Sequence, residues 1–217
     1  MRVRELLAKL LDIAFPAIDS SPRRSLVEEL TAGDHIPLPA QHDDILASLS
    51  GRALFAYRDL HIRAAIKSLK YDGNTDVTEW FAEEARETIR DIIAQPFAQK
   101  PLVIPIPITL SRHLERGFNQ SALIAKALVA LFPNDIDYDD TSFIRNEFSQ
   151  SQTEARTRVE RAKNIRGAFD VVTPDLLMRR DILLIDDVIT TGATLHEAAR
   201  ILRAAGARSV SCFAIAH

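Results

Sequence analysis

Hydrophobic positions follow two rhythms along this chain, and the change falls near residue 101. Ahead of it the spacing is mostly helical. Leu6, Leu7, Leu10, Leu11 and Phe15 share one helical face, while Glu5, Lys9 and Asp12 break the apolar run a signal peptide needs. That pattern predicts a helix packed on a core. Pro16, Pro22, Pro37 and Pro39 then cut residues 1–50 into short helices joined by turns. A strand is expected over 52–58. Helical spacing follows over 60–70 and 76–94, with Asp72-Gly73-Asn74 as the turn between them. Trp80 and Phe81, in the second of these helices, are read as packing residues.

Beyond residue 101 strands alternate with helices, the order of a parallel sheet covered by helices. The first unit opens with Leu102-Val103-Ile104-Pro105-Ile106, a buried strand weakened by its proline. It crosses a loop over 107–118 and enters a helix near Asn119. Leu123, Ala127 and Leu131 line one face of that helix beside Ile124 and Leu128, and Pro133 stops it. The second unit has an apolar run over 182–185, then Asp186-Asp187, then Val188-Ile189-Thr190-Thr191-Gly192-Ala193-Thr194. The helix after it turns Leu195, Ala198, Ala199 and Leu202 inward and ends at Gly206. A strand over 210–215 completes a βαβ unit. Two regions are expected: a small, mostly helical one over 1–50 and an α/β domain over 51–217.

Composition narrows the function classes. The 217 residues are 47% hydrophobic and 26% charged, as in ordinary globular domains. A net charge of −3 supplies no global attraction to nucleic acid, so direct contact would need a local basic patch. No stretch approaches the roughly 20 apolar residues of a membrane span, so no membrane insertion is expected. One cysteine, Cys212, excludes an intramolecular disulfide framework and accords with a reducing cytoplasm. In the last strand it is read as a small buried hydrophobe.

The candidate chemistry lies where the second unit turns. Ligands of open parallel sheets collect beyond the carboxyl ends of the strands, where a helix start offers unpaired N–H groups to a phosphate. Small and hydroxyl-bearing residues let the backbone approach that phosphate, and residues 190–194 supply them. Asp186 and Asp187 suit ribose hydroxyls, directly or through Mg²⁺. Bland readings exist for the same residues. Thr194 and Glu197 form a T-x-x-E capping box, and Asp at a strand end is an ordinary turn former. Arg112 and Arg116 lie on the loop of the first unit and can face the second, where guanidinium groups suit diphosphate oxygens.

Leu183-Leu184-Ile185-Asp186-Asp187-Val188-Ile189-Thr190-Thr191-Gly192-Ala193-Thr194 resembles the phosphoribosyl-pyrophosphate motif of type I phosphoribosyltransferases. Lys70-Tyr71-Asp72-Gly73, Pro105-Ile106-Pro107 with Arg112, and Arg116-Gly117-Phe118-Asn119-Gln120 resemble segments of the ComF and GntX-like branch. Gln152, Arg161, Asn164 and Phe169 fit the same pattern. The resemblance implies a type I phosphoribosyltransferase-like parallel sheet flanked by helices. It implies ribose contacts at Asp186 and Asp187, with Mg²⁺ accompanying the ligand. Ile189, Thr190, Thr191, Gly192, Ala193 and Thr194 would cradle the 5′-phosphate, with Arg112 and Arg116 on the pyrophosphate. The charged run 145–166 resembles the mobile loop that closes over such ligands, with Arg156, Arg158 and Arg161 as lid residues. An exposed charged helix and a single-strand-binding patch are its other readings.

Two departures shape the functional expectation. ComF-like proteins carry a four-cysteine zinc ribbon after a helix and a Phe-Pro turn. Here Phe15-Pro16 remains, but no cysteine follows, and His35 and His42 cannot replace four thiolates, so no zinc is expected. Thr190 stands where 6-oxopurine salvage enzymes carry Asp, which disfavours that salvage and leaves the catalytic residues unassigned. Three functions accord with these residues: transfer of phosphoribose to an acceptor, non-catalytic sensing of the same ligand, and an accessory role with protein partners in DNA uptake.

Overall fold

A computed structural model describes residues 20–95, 97, 99–146 and 167–217. The helix expected at the N-terminus, Phe15-Pro16, Gln152, Asn164 and the lid arginines Arg156, Arg158 and Arg161 lie outside the described residues.

The centre of the fold is β6 (Asp181–Val188), whose first five residues are buried. It pairs in parallel with β2 (Leu102–Pro105) on one side and β7 (Ser209–Ala216) on the other. β1 (Gly51–Phe55) and β3 (Asp137–Tyr138) add parallel edges, giving the order β1-β7-β6-β2-β3. A strand buried on both faces reads as a continuous apolar run, yet its side chains still alternate. Leu183 and Ile185 enter one core, Ile182 and Leu184 the other. Pro105 is tolerated in β2 because β3 pairs only with Leu102 and Val103.

Helices cover both faces. Over the first lie α1 (Ser20–Ala32), α3 (Leu60–Asp72), α4 (Thr75–Ile93) and α6 (Gln120–Leu131). Over the second lie α2 (Asp44–Ser48), α7 (Ala193–Ala204) and the antiparallel pair β4 (Phe143–Arg145) and β5 (Phe169–Val171). Phe81 is buried in the first core and Trp80 stacks on Phe55, so both are packing residues. Cys212 is buried in the second, where desolvation pushes its thiol up to about 12. In α6 the inward face is Ser121, Ile124, Ala125 and Leu128, while Leu123, Ala127 and Leu131 are only partly buried at its flank. Among the described residues no helix is long and apolar enough to cross a membrane.

The expected loop over 107–118 contains a helix, α5 (Leu110–Arg116), which starts at Thr109 and stops at Gly117. Its apolar residues Leu110 and Leu114 stay exposed, so it has no inward stripe by which periodicity would reveal it.

Residues before position 50 are tied to the sheet by more than packing. Ala40 N donates to Leu54 O and Ala56 N to Leu38 O, covering the free edge of β1. Asp59 is the anchor. Its Oδ1 accepts from the backbone N of His61 and Ile62, capping α3, and its Oδ2 accepts from Leu38 N and pairs with His35 Nε2 at 3.0 Å. His35 and His61 stack with ring centroids 3.6 Å apart, so His35 is a packed partner of Asp59 rather than a simple surface residue. His35, Asp59 and His61 bring three donor atoms within 4.8 Å of one another. The rings lie nearly parallel instead of converging, and four partners already occupy the carboxylate, so the arrangement is a hydrogen-bonded clamp. Asp59→Ala removes a cap and strands buried donors; urea unfolding of this variant is expected to show a loss of about 2–3 kcal/mol.

Candidate functional site

β6 delivers Asp186 and Asp187 to the carboxyl edge of the sheet. Ile189 is buried and donates its N–H to Ala216 O, which turns the chain out of the sheet. Thr190 and Thr191 are exposed, Gly192 is buried at φ +70, and α7 begins with half-buried Ala193 and Thr194. Only glycine suits position 192. A Cβ there would be strained at that φ and would lie 2.8 Å from Ile45 Cγ2. The loop is backed by α2 and held from behind. His217 Nδ1 bonds Ile189 O at 3.0 Å and its Nε2 meets Asp43, the cap of α2, at 2.8 Å. His196 reaches Ser48 from the exposed side of α7. The start of a 12-residue helix thus offers N–H groups lacking intrahelical partners, at the end of a rigid turn.

The T-x-x-E capping box does not form. Gly192 is the cap of α7, and no side chain caps that end. Thr194 is already helical there, and Glu197 instead accepts from Gly167 N at 2.9 Å and pairs with Arg200. Glu197 therefore fixes the point where the chain returns from 147–166. Asn146 fixes the departure point: its N bonds Ala168 O and its side chain Gly167 O.

The first unit faces this loop. Asn119 caps α6 through Ser121 N while its Nδ2 donates to Ile106 O. Arg116 donates to Gln120 Oε1 at 3.0 Å. Ser121 Oγ donates to Asp186 Oδ1 at 3.0 Å. Gln120 Nε2 reaches Lys70 O at 3.5 Å, and Phe118 packs where a Cβ on Gly73 would sit. The Lys70–Gly73 and Arg116–Gln120 motifs, about 50 residues apart, are therefore one interlocked structure. From it the Lys70 ammonium reaches Asp187 Oδ2 at 2.5 Å. That oxygen has no further hydrogen-bond partner among the described residues.

Charges at the site are poorly hydrated. Burial pushes Asp186 up from its ordinary 3.8 to about 7, helped by the charge of Asp187 and opposed by Asp187 N, Ser121 and Lys70. Burial also disfavours the Lys70 charge, but Asp187 outweighs it and the ammonium is stabilised. Burial lowers the pKa of Arg112, and neighbouring Arg116 lowers it further, against Asp187 and Asp186. Arg145 is lowered by burial and by Arg112, lies 5.2 Å over the Phe169 ring, and has an Nε without a partner among the described residues. Of the sites expected from sequence, the structure brings together Asp186, Asp187, the 189–194 loop and Arg112, with Arg116 turned to Gln120. Lys70, Ser121 and Arg145 join them unannounced. Only the K-Y-x-G likeness had touched Lys70, and Arg145 had stood in a charged run.

A phosphoribosyl transferase domain model matches residues 115–217. Competence protein ComFC of Bacillus subtilis is 31% identical over 174 residues, 79% of this chain and 66% of that protein. The DNA utilization protein YhgH of Shigella flexneri is 32% identical over 113 residues, and competence protein F of Haemophilus influenzae 29% over 115. Each of these two matches covers 52% of this chain, which spans about half of their length, 48% and 49%. The chain belongs to the ComF-like proteins of the phosphoribosyltransferase fold. In this ComF-like protein Arg116 and residues 186–194 fall within the matched domain, whereas Lys70 and Arg112 precede it. Strand pairing closes that gap, since β1 joins β7 and β2 joins β6 in one sheet.

The raised pKa of Asp186 has a measurable consequence. Between about pH 4 and pH 7 the folded protein holds a proton that the unfolded chain has released, so this group's contribution to stability falls as pH rises. Asp186→Asn keeps the acceptor for Ser121 and does not titrate. Chemical denaturation from pH 4 to 7 should show the variant gaining roughly 2–4 kcal/mol on wild type, then no more above that range.

Proposed function

We propose that this ComF-like protein binds phosphoribosyl pyrophosphate at the carboxyl edge of its sheet and acts in the cytoplasm, in DNA uptake or utilisation. The 5′-phosphate would lie on residues 189–194 and the ribose hydroxyls at Asp186 and Asp187. Arg112, Arg116 and Arg145 would face the diphosphate. The observation that carries this reading is a pair of guanidiniums, Arg112 and Arg145, that burial desolvates and whose charges act on one another and on Asp186. Asp186 and Asp187 offset that burial only in part, and a polyanionic ligand would relieve both charges. The helix start at Gly192 supplies the second anion site.

Transfer of phosphoribose to an acceptor is the enzymatic form of the proposal, with positioning and charge stabilisation as its means. Thr190 offers no proton acceptor near neutral pH, so the reading does not extend to 6-oxopurines. The names of the relatives, competence and DNA utilization proteins, point to a role in DNA uptake or use, and a second form of the proposal serves such a role. In it the same ligand is sensed without turnover and reported to a protein partner. Mg²⁺ would accompany either form only as a counter-ion carried by the diphosphate, not as a group that binding requires. The aspartates themselves do not fit it: Lys70 holds Asp187, and Asp186 is pushed towards its neutral form while accepting from Ser121 and Asp187 N.

Thermal unfolding with phosphoribosyl pyrophosphate tests the binding claim. At about 100 times its Kd, the ligand should stabilise the protein by roughly 2.7 kcal/mol and raise the midpoint about 5–11 °C. Arg112→Gln should lose that rise while its ligand-free midpoint stays unchanged or increases, because a desolvated charge has been removed. No rise in wild type at millimolar ligand would overturn the proposal.

A further inference from the structure

Lys70 lies in the last turn of α3, where the helix dipole favours a cation. Its backbone is not free to move away. Gly73 ends the helix at φ +60 with Phe118 packed over it, and Gln120 Nε2 bonds Lys70 O. The side chain is 24% exposed and that of its partner Asp187 is 14% exposed, so the pair is shielded on both sides. Its position matters because residue 187 is one of the two carboxylates at the strand end.

A Mg²⁺ on Asp187 would need an oxygen at about 2.0–2.1 Å and several retained waters. Asp187 Oδ2 is instead 2.5 Å from an ammonium, which a metal must displace or lie against. The neighbours reinforce the exclusion. Asp186 Oδ1 already accepts from Ser121 Oγ and Asp187 N, and the Arg112 charge acts on both carboxylates. With Lys70 counted, the carboxylate pair carries at most one net negative charge, which is weak attraction for a dication among arginines.

We propose that Lys70 is the resident cation of this carboxylate pair, so that a phosphoribosyl diphosphate engages the site with no divalent metal on Asp186 or Asp187. The inference rests on the phosphoribosyl reading above. An ammonium has three N–H donors. Asp187 takes one, and the others serve the ribose hydroxyls and diphosphate oxygens that a metal would otherwise bridge. The cation is part of the fold, so the ligand need not recruit one to the aspartates.

The test has two arms on the full chain, wild type against Lys70→Met, with Lys70→Arg as the charge-keeping control. In the first, Mn²⁺ alone is titrated and free metal is read by electron paramagnetic resonance. Wild type and Lys70→Arg should bind it weakly, and Lys70→Met should gain about tenfold or more in affinity. In the second, phosphoribosyl pyrophosphate is titrated by calorimetry in EDTA and then in millimolar Mg²⁺. Wild-type affinity should change by less than about threefold, whereas Lys70→Met should lose about tenfold in EDTA and recover with Mg²⁺. Wild type binding Mn²⁺ as tightly as Lys70→Met, or requiring Mg²⁺ for the ligand, would overturn the inference. If no form binds phosphoribosyl pyrophosphate, the phosphoribosyl reading falls, while the Mn²⁺ arm still decides the role of Lys70. Should Lys70→Met fail to fold, tight Mn²⁺ binding by wild type overturns the inference and weak binding by both wild type and Lys70→Arg upholds it.

Discussion

Two adjacent carboxylates at the end of a buried strand cannot remain there without compensation, and the architecture is arranged around that requirement. Lys70 answers Asp187 from α3, and Ser121 answers Asp186 from α6. These two helices come from opposite sides of β2 in the sequence. To meet at β6 they must pack over the same sheet face, which Ile62, Ile66, Ile124 and Leu128 accomplish in one core. Apolar burial supplies the adhesion, and the charge pair selects which ends must coincide.

The same economy explains why the Arg116–Gln120 segment is rich in polar side chains yet largely structural. Asn119 ties α6 to Ile106, Gln120 is 3% exposed between Arg116 and Lys70 O, and Phe118 covers Gly73. A motif that looks like ligand chemistry is here the joint that aims it. Arg112 and Arg145 are the desolvated arginines at the site, and their burial makes an anionic ligand a natural counterpart. On the other face, Asp43, His217 and Ser48 brace the phosphate-type loop through short polar contacts. The loop is thereby shaped before any ligand arrives, which lowers the ordering cost of binding.

Much of this was legible along the chain. The strand–loop–helix at 182–204 announced itself because three signals agree there: an apolar run, a glycine turn and an amphipathic helix. α5 escaped notice because Leu110 and Leu114 face solvent, and a seven-residue helix without a buried stripe leaves no period to read. The capping box fails to form for a related reason. T-x-x-E is a local pattern, but Glu197 answers to Gly167, thirty positions away.

Sequence by itself determined the fold class, the place of the carboxylates and the glycine-bearing loop, since each depends on residues within a dozen positions of one another. Only tertiary structure decided which cation meets Asp187, which hydroxyl meets Asp186 and which arginines are desolvated. The two pairings on the carboxylates join residues separated by 65 positions or more, as Ser121 and Asp186 are. No local periodicity encodes such distances. They follow from strand order and helix packing, and from the high cost of leaving a buried charge alone.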